Sequence, residues 1–139
     1  MEKNLAIIGA SYLQLPLIEK AKEAKENSYS PYSKFRVGAA LLTEDNQIFL
    51  GCNIENSSYG ATICAERTSI SKAVSSGVRD FKKIAIVSDL DNLTYPCGIC
   101  LQVMSEFMPN GKIILQDKNK KIRSYNVSDF LPNCFKLDN

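Results

Sequence analysis

The 139-residue chain contains no histidine and no tryptophan. Without histidine, neither a Ser-His-Asp nor a Cys-His catalytic arrangement can be built. Metal sites that need imidazole, such as H-E-x-x-H, are excluded for the same reason. A general base must therefore be Asp, Glu, Lys, Tyr or Cys. A zinc site must be built from cysteine and carboxylate side chains.

Long apolar runs are also missing from the sequence. The N-terminal run Leu5–Ala10 is short and follows Glu2 and Lys3, so it predicts neither a signal peptide nor a membrane span. The 17 basic and 15 acidic residues leave a net charge of +2. A charge so close to zero gives no reason to expect a nucleic acid or an anionic membrane as partner.

Cysteine is present in an odd number. Five cysteines cannot all pair within one chain, and we therefore expect a reduced, cytoplasmic protein. In that compartment cysteine pairs bind metals or do redox work more often than they form disulfides.

The length predicts one domain over residues 1–139, with residues 1–12 as a loosely held arm. The patterns predict helices at Pro16–Asn27, Cys64–Ser76 and Cys97–Phe107, a helical turn at Ser128–Leu131, and strands at Arg36–Thr43, Ile48–Asn53, Lys83–Ser88, Lys112–Gln116 and Lys121–Tyr125. Because helices alternate with strands, we expect an α/β fold: a three-layer α/β/α sandwich with a mixed five-stranded sheet. The third and fourth strands should run parallel, joined by a right-handed crossover.

Two short segments carry the chemistry, and each falls where a helix is predicted to begin. The first is Cys64-Ala65-Glu66 and the second is Pro96-Cys97-Gly98-Ile99-Cys100. Cys97 and Cys100 are three residues apart, so they share one face of a helical turn and can grip one ion. A helix N-terminus also favours thiolates, because its dipole and free N–H groups are positive.

Three cysteines without a fourth protein ligand are typical of an open, catalytic zinc site, since structural zinc is usually closed by four ligands. Taken alone, Cys97 and Cys100 would most often be a redox pair or half of a structural zinc site. Glu66 stands beside Cys64 and is a candidate proton carrier for water activated by the metal.

Five motifs together resemble the small homotetrameric zinc-dependent cytidine deaminases. They are SPYSKFRVGAAL at Ser30–Leu41, GCNIEN at Gly51–Asn56 followed by Tyr59, CAERT at Cys64–Thr68, PCGIC at Pro96–Cys100, and the tail Phe130-Leu131-Pro132 with Phe135. The resemblance runs in order and spacing over residues 13–135. It implies a single zinc ion per chain, a nucleoside substrate and a homotetramer with shared active sites.

The resemblance also implies the roles of the residues around the metal. Cys64, Cys97 and Cys100 would bind zinc. Glu66 would move a proton from water to N3 of the base and then to the departing amino group. Arg67 would donate hydrogen bonds to ligand sulfurs, because three thiolates and Zn²⁺ sum to a net negative charge that weakens the metal as a Lewis acid.

The implied substrate contacts come from Phe35, Asn53, Glu55, Tyr59, Ala65 and Phe135. Asn53 and Glu55 would hold a ribose hydroxyl, since side chains two residues apart near a strand end can point the same way. Phe35 would pack on the base. Tyr59 and Phe135 would approach the site of a neighbouring subunit.

The sequence departs from the family pattern outside the ligands and Glu66. The family usually has arginine where Leu101 stands and a small residue where Ile99 stands. Ser57-Ser58 replaces a more usual alanine-rich pair, and Gly60–Ile63 also differs from the common sequence.

The leading hypothesis is hydrolytic deamination of cytidine and 2′-deoxycytidine to the uridines in pyrimidine salvage. A second hypothesis keeps the chemistry but replaces the substrate by modified cytidines or an aminonucleoside antibiotic such as blasticidin S. A third is a non-catalytic, zinc-stabilised binding protein. Nucleic-acid editing is weaker, since basic and aromatic residues are not interleaved.

Overall fold

The computed structural model describes residues 10–138, with side chains from residue 14 onward. The helices are α1 (Ala10–Lys25), α2 (Ala65–Ser75), α3 (Gly98–Phe107) and α4 (Val127–Phe130), and a 3₁₀ turn spans Tyr59–Ala61. The strands are β1 (Val37–Thr43), β2 (Ile48–Cys52), β3 (Phe81–Ser88), β4 (Lys112–Gln116) and β5 (Ile122–Asn126).

The strands form one five-stranded sheet in the order β2-β1-β3-β4-β5. β3 and β4 pair in parallel, with Ile84 opposite Ile113, while the other neighbouring pairs are antiparallel. β1 and β2 form an antiparallel hairpin, with Ala40 opposite Leu50. The mixed five-stranded sheet and the parallel β3–β4 pair confirm the sequence prediction.

Side chains alternate between the two faces of the sheet, as the period of a strand requires. Ala39 and Leu41 of β1 belong to the core cluster beneath α2, α3 and α4. Ala40 and Leu42 belong to the opposite cluster, which α1 covers with its apolar face. Helices on both faces of one sheet make the three layers that the sequence predicted.

The first helix begins earlier than predicted. The sequence places Pro16 in its first turn, whereas the helix starts at Ala10 and carries Pro16 inside it. Proline favours a first turn because it lacks an N–H, but that preference does not prevent a further turn from preceding it. Residues 1–9 of the predicted arm lie outside the described residues, and residues 10–12 are helical.

A glycine brings α2 close to the sheet edge that carries much of the site. A Cβ added to Gly51 on β2 would lie 2.4 Å from the carbonyl oxygen of Ala65 and 2.5 Å from the amide nitrogen of Ser69. The first turn of α2 therefore packs directly on the β2 backbone. This contact places Cys64, the residue before α2, next to the end of β2.

Within residues 10–138, no helix has both the length and the apolar character to cross a membrane.

Candidate metal centre and active site

The three cysteines singled out by the sequence lie together. The Sγ atoms of Cys64, Cys97 and Cys100 all lie within 4.8 Å of one another. Cys64 and Cys97 are 3.8 Å apart between sulfurs. Residues from two distant segments of the chain thus form one cluster.

Helix starts position these sulfurs. Cys64 and Cys97 are the N-cap residues of α2 and α3, both with extended backbone (ψ 155° and 167°), and Cys100 lies in the first turn of α3. The two helices point their positive ends at the cluster, which stabilises thiolates. A hydrogen bond from Cys100, reinforced by Arg67, lowers the pKa of Cys64 to about 5. The shared hydrogen bond with Cys64 and burial raise the pKa of Cys100.

Arg67 lies against the sulfur cluster. Its Nη2 donates a hydrogen bond to Cys64 Sγ over 3.4 Å, and the same contact with Cys64 raises the pKa of Arg67. Its Nε is buried and has no hydrogen-bond partner in the part of the chain that the structure describes. A cation held against the sulfur cluster is what a thiolate-rich zinc site needs to offset its negative charge.

The donor set fits zinc. Among the described residues, the cluster consists of three sulfur donors. Three sulfurs match the thiolate preference of a tetrahedral zinc site and leave one position for a non-protein ligand. The alternative of a simple redox pair does not explain why Cys64 and Arg67 converge on Cys97 and Cys100.

Glu66 is the second residue of α2 and is only 4% exposed. Burial is the main reason that its pKa is raised to about 7, and the neighbouring Cys64 thiolate adds to the effect. The Cys100 side chain interacts with Glu66 and opposes part of this rise in the pKa. The structure therefore holds a buried carboxyl group directly beside the cysteine cluster.

Asn53 follows β2 and uses its amide group to bind the chain that enters β1. Its Oδ1 accepts hydrogen bonds from the Val37 N–H at 2.9 Å and from the Ser28 hydroxyl. Its Nδ2 donates to the Phe35 carbonyl at 2.8 Å. The backbone on either side of residue 36 is thus fixed by one buried amide.

Glu55 binds the preceding turn in a similar way. Its Oε1 accepts hydrogen bonds from the N–H groups of Tyr32 and Ser33, at 3.0 and 3.1 Å. Its Oε2 accepts one from the Ser33 hydroxyl. These hydrogen bonds, that of the Ser33 side chain first, lower the pKa of Glu55. The carboxylate is therefore charged and oriented.

A short β-bridge joins this polar pair to the cysteine cluster. Ile54, which lies between Asn53 and Glu55, pairs with Ile63 through hydrogen bonds of 2.9 and 3.0 Å. Ile63 immediately precedes Cys64. The backbone therefore couples the Asn53/Glu55 pair to the first cysteine.

The remaining predicted contacts lie in different settings. Phe35 is 38% exposed, Tyr59 is 77% exposed and Phe135 is 68% exposed, whereas Ala65 is fully buried. Tyr59 lines a cavity of about 350 Å³ together with Glu55. Phe135 is attached to α3 by its carbonyl, which accepts a hydrogen bond from Gln102 at 2.9 Å.

The departures from the family pattern divide by burial. Leu101 is 7% exposed and packs in the core beneath α3, so an arginine there would have to leave that core. Ile99 is 63% exposed in the first turn of α3.

Sequence reasoning missed two serines, Ser28 and Ser33, that bind the Asn53 and Glu55 side chains. The sequence offered one indication of their role, their position: Ser33 lies within the segment Ser30–Phe35, and Ser28 lies just before it.

Comparisons with known proteins agree with this geometry. Residues 13–117 match the family described as "Cytidine and deoxycytidylate deaminase zinc-binding region". The cytidine deaminase of Sporosarcina psychrophila is 52% identical over 121 residues, which cover 86% of this chain and 88% of that protein. The chain belongs to the cytidine deaminase family.

Solved structures support the same membership. The crystal structure of cytidine deaminase from Burkholderia pseudomallei matches with a TM-score of 0.82 and 45% identity, over 86% of this chain and 97% of that one. The blasticidin-S deaminase of Bacillus cereus is more distant, at 29% identity over 130 residues, covering 88% of this chain and 91% of that protein.

Proposed function

We propose that this member of the cytidine deaminase family hydrolyses cytidine and 2′-deoxycytidine. Water replaces the amino group at C4, so each nucleoside yields a uridine or 2′-deoxyuridine and one ammonia. The cysteine cluster with Glu66 beside it carries the proposal, since it supplies a metal site and a proton carrier without histidine. Relatives named cytidine deaminase support the choice of substrate.

Cys64, Cys97 and Cys100 would hold the zinc ion. Zinc in such a site acts as a Lewis acid that lowers the pKa of a bound water toward about 7. Glu66 would take a proton from the attacking water, deliver it to N3 of the base, and then pass a proton to the departing amino group. Its burial supports this role, because few waters remain there to compete for the proton. Arg67 would offset the negative charge of the three thiolates through its bond to Cys64.

The hydrogen-bond valences of Asn53 and Glu55 suit one sugar hydroxyl. Within the described residues, Asn53 uses one of its two N–H donors on Phe35 and fills its carbonyl oxygen with two donors. Glu55 accepts three hydrogen bonds, which leaves about one of its four acceptor positions. One free donor beside one free acceptor complements a hydroxyl group, which both accepts and donates.

The remaining contacts would complete the pocket. Phe35 would pack on the base, and Ala65 would present its backbone at the start of α2. Tyr59 and Phe135 are more than two-thirds exposed, which supports a homotetramer in which they approach a neighbouring subunit's site. We further propose a cytoplasmic enzyme of pyrimidine salvage, since the five cysteines are free thiols and three of them must stay reduced to bind metal.

Turnover measured together with the metal content tests the function. Purified protein carrying about one zinc per chain should convert both nucleosides, seen as a loss of cytidine absorbance and release of equimolar ammonia. Failure to turn over either nucleoside at full zinc loading would overturn the proposal. A panel that adds modified cytidines and blasticidin S identifies a different substrate if one of these reacts faster than cytidine. Sedimentation measures the oligomeric state.

A further inference from the structure

One hydroxyl group connects the two parts of the proposed nucleoside pocket. The Ser33 hydroxyl donates a hydrogen bond to Glu55 Oε2. The same oxygen accepts a hydrogen bond from the Phe35 N–H at 3.0 Å. Ser33 thus joins the carboxylate proposed to hold the sugar to the backbone of the aromatic residue proposed to hold the base.

The chain around Ser33 depends on such bonds. The preceding turn is closed by the Lys34 N–H, which donates to the Ser30 carbonyl at 3.0 Å. Lys34 itself adopts φ +58°, the left-handed conformation that non-glycine residues avoid. The Ser33 hydroxyl therefore forms its hydrogen bonds where the backbone reverses direction, and these bonds stabilise an unfavourable backbone conformation.

We propose that Ser33 is a positioning residue that orients Glu55 toward a sugar hydroxyl of the nucleoside. This inference rests on the proposed function. Among the described residues, loss of the Ser33 hydroxyl leaves Glu55 with the two backbone donors on Oε1, and Oε2 is no longer held. The carboxylate can then rotate about its terminal bond, so its remaining acceptor position no longer faces one fixed direction.

The loss should weaken substrate binding and leave the chemical step intact, because the Ser33 hydroxyl bonds to Glu55 and Phe35 rather than to the cysteines or Glu66 within the described residues. Ser33→Ala should raise KM for cytidine by roughly tenfold, the size expected for one misdirected hydrogen bond to a charged group. The kcat at saturation should change by less than about twofold. Ser33→Thr, which keeps the hydroxyl, should restore most of the affinity.

Substrates that lack single hydroxyls separate positioning from a general structural effect. The KM ratio of Ser33→Ala to wild type is measured with cytidine and with its 2′-, 3′- and 5′-deoxy analogues. For the analogue that lacks the hydroxyl bound by Glu55, the ratio should fall to about one, because no bond remains to be misdirected. The same analogue should abolish the effect of Glu55→Gln.

The measurements distinguish a failure of the positioning role from a failure of the proposed function. Ser75→Ala serves as the matched control, since it removes an exposed hydroxyl that also bonds within the chain, to the Lys72 carbonyl, at the far end of α2. An unchanged KM for Ser33→Ala, or an equal KM ratio for all four substrates, overturns the positioning role. An inactive wild-type protein at full zinc loading overturns the proposed function instead. Melting temperatures of all variants identify any loss of folding.

Discussion

Arg67 Nη2 donates a hydrogen bond to Cys64 Sγ over 3.4 Å, three residues along the same chain segment. The arginine belongs to the first turn of α2 and the cysteine is its N-cap. One helix start thus supplies both a proposed metal ligand and the cation proposed to moderate its charge. Helical spacing makes this pair possible, because residues three apart lie on the same side.

Removing the Arg67 cation should weaken the metal centre. We expect Arg67→Gln to lower kcat by roughly tenfold or more, since the thiolate charge would no longer be offset. Activity at measured zinc content is the readout. Arg123→Gln is the control, as that guanidinium pairs with Asp117 on the surface. An unchanged kcat at full zinc loading would contradict the role of Arg67.

Replacing Glu66 should separate catalysis from metal binding. Glu66→Gln keeps the shape of the side chain but cannot carry a proton, so kcat should fall by roughly 100-fold or more while zinc stays bound. The exposed Glu106, replaced by Gln, is the matched control on α3. Full deaminase activity in Glu66→Gln would contradict the role of Glu66 as the proton carrier. Zinc binding without turnover in both wild type and Glu66→Gln would favour the non-catalytic binding protein considered from the sequence.

Zinc retention should distinguish the cysteines proposed to bind the metal from those that do not. Cys100→Ser should lose most of the bound zinc, because a serine hydroxyl is a poor zinc ligand at neutral pH. Cys134→Ser should keep about one zinc per chain, since Cys134 lies outside the cluster. Metal analysis after dialysis checks both. Equal zinc loss in the two variants would contradict the assignment of the ligands.

Asp89 should make stability depend on pH at the acid end. Hydrogen bonds from the Arg36 side chain, and then from its N–H, lower the pKa of Asp89 from 3.8 to about 2. Because the folded-state pKa is depressed, this contribution is fully present above about pH 4 and is lost as the pH falls toward 2. Asp89→Asn should therefore melt a few degrees lower than wild type at pH 7.

The difference in melting temperature between Asp89→Asn and wild type should shrink as the pH falls from 4 to 2. Asp91→Asn is the control, because Asp91 forms an exposed ion pair with Lys120 at 3.3 Å, with the carboxylate side chain 82% exposed. If the melting-temperature difference between Asp89→Asn and wild type stays constant down to pH 2, the carboxylate charge is not the source of the stabilisation.

Most of the fold could be read from local patterns. The strands β1 and β2 lie where the apolar runs on either side of the turn residues Glu44–Gln47 were predicted to be strands. The helix predicted to end at Ser76 is followed by Gly77, whose φ of +92° is typical of a helix stop. The start of α1 could not be predicted, because proline marks where a helix can begin but not whether another turn precedes it. β3 begins at Phe81, two residues before the predicted Lys83, because its pairing with β1 extends past the apolar run.

Local patterns also pointed to the candidate functional residues. Cysteines at two predicted helix starts, together with the resemblance to the cytidine deaminases, singled out the three sulfurs and Glu66 beside them. The two serines that fix Asn53 and Glu55 escaped, because a serine in a turn has the same appearance whether it binds solvent or a buried side chain.

The sequence by itself determined the kinds of group available: sulfur ligands, one candidate proton carrier, and helices that begin at those cysteines. These follow from residue type and short spacing, which are local properties. Only the tertiary structure decided that Cys64 meets Cys97 across 33 positions. The tertiary structure also decided that, within residues 10–138, Asn53 keeps one unused donor and Glu55 about one unused acceptor position. Such relations depend on how α2 packs on β2 and α3 follows β3, because contacts between distant segments arise from packing rather than spacing.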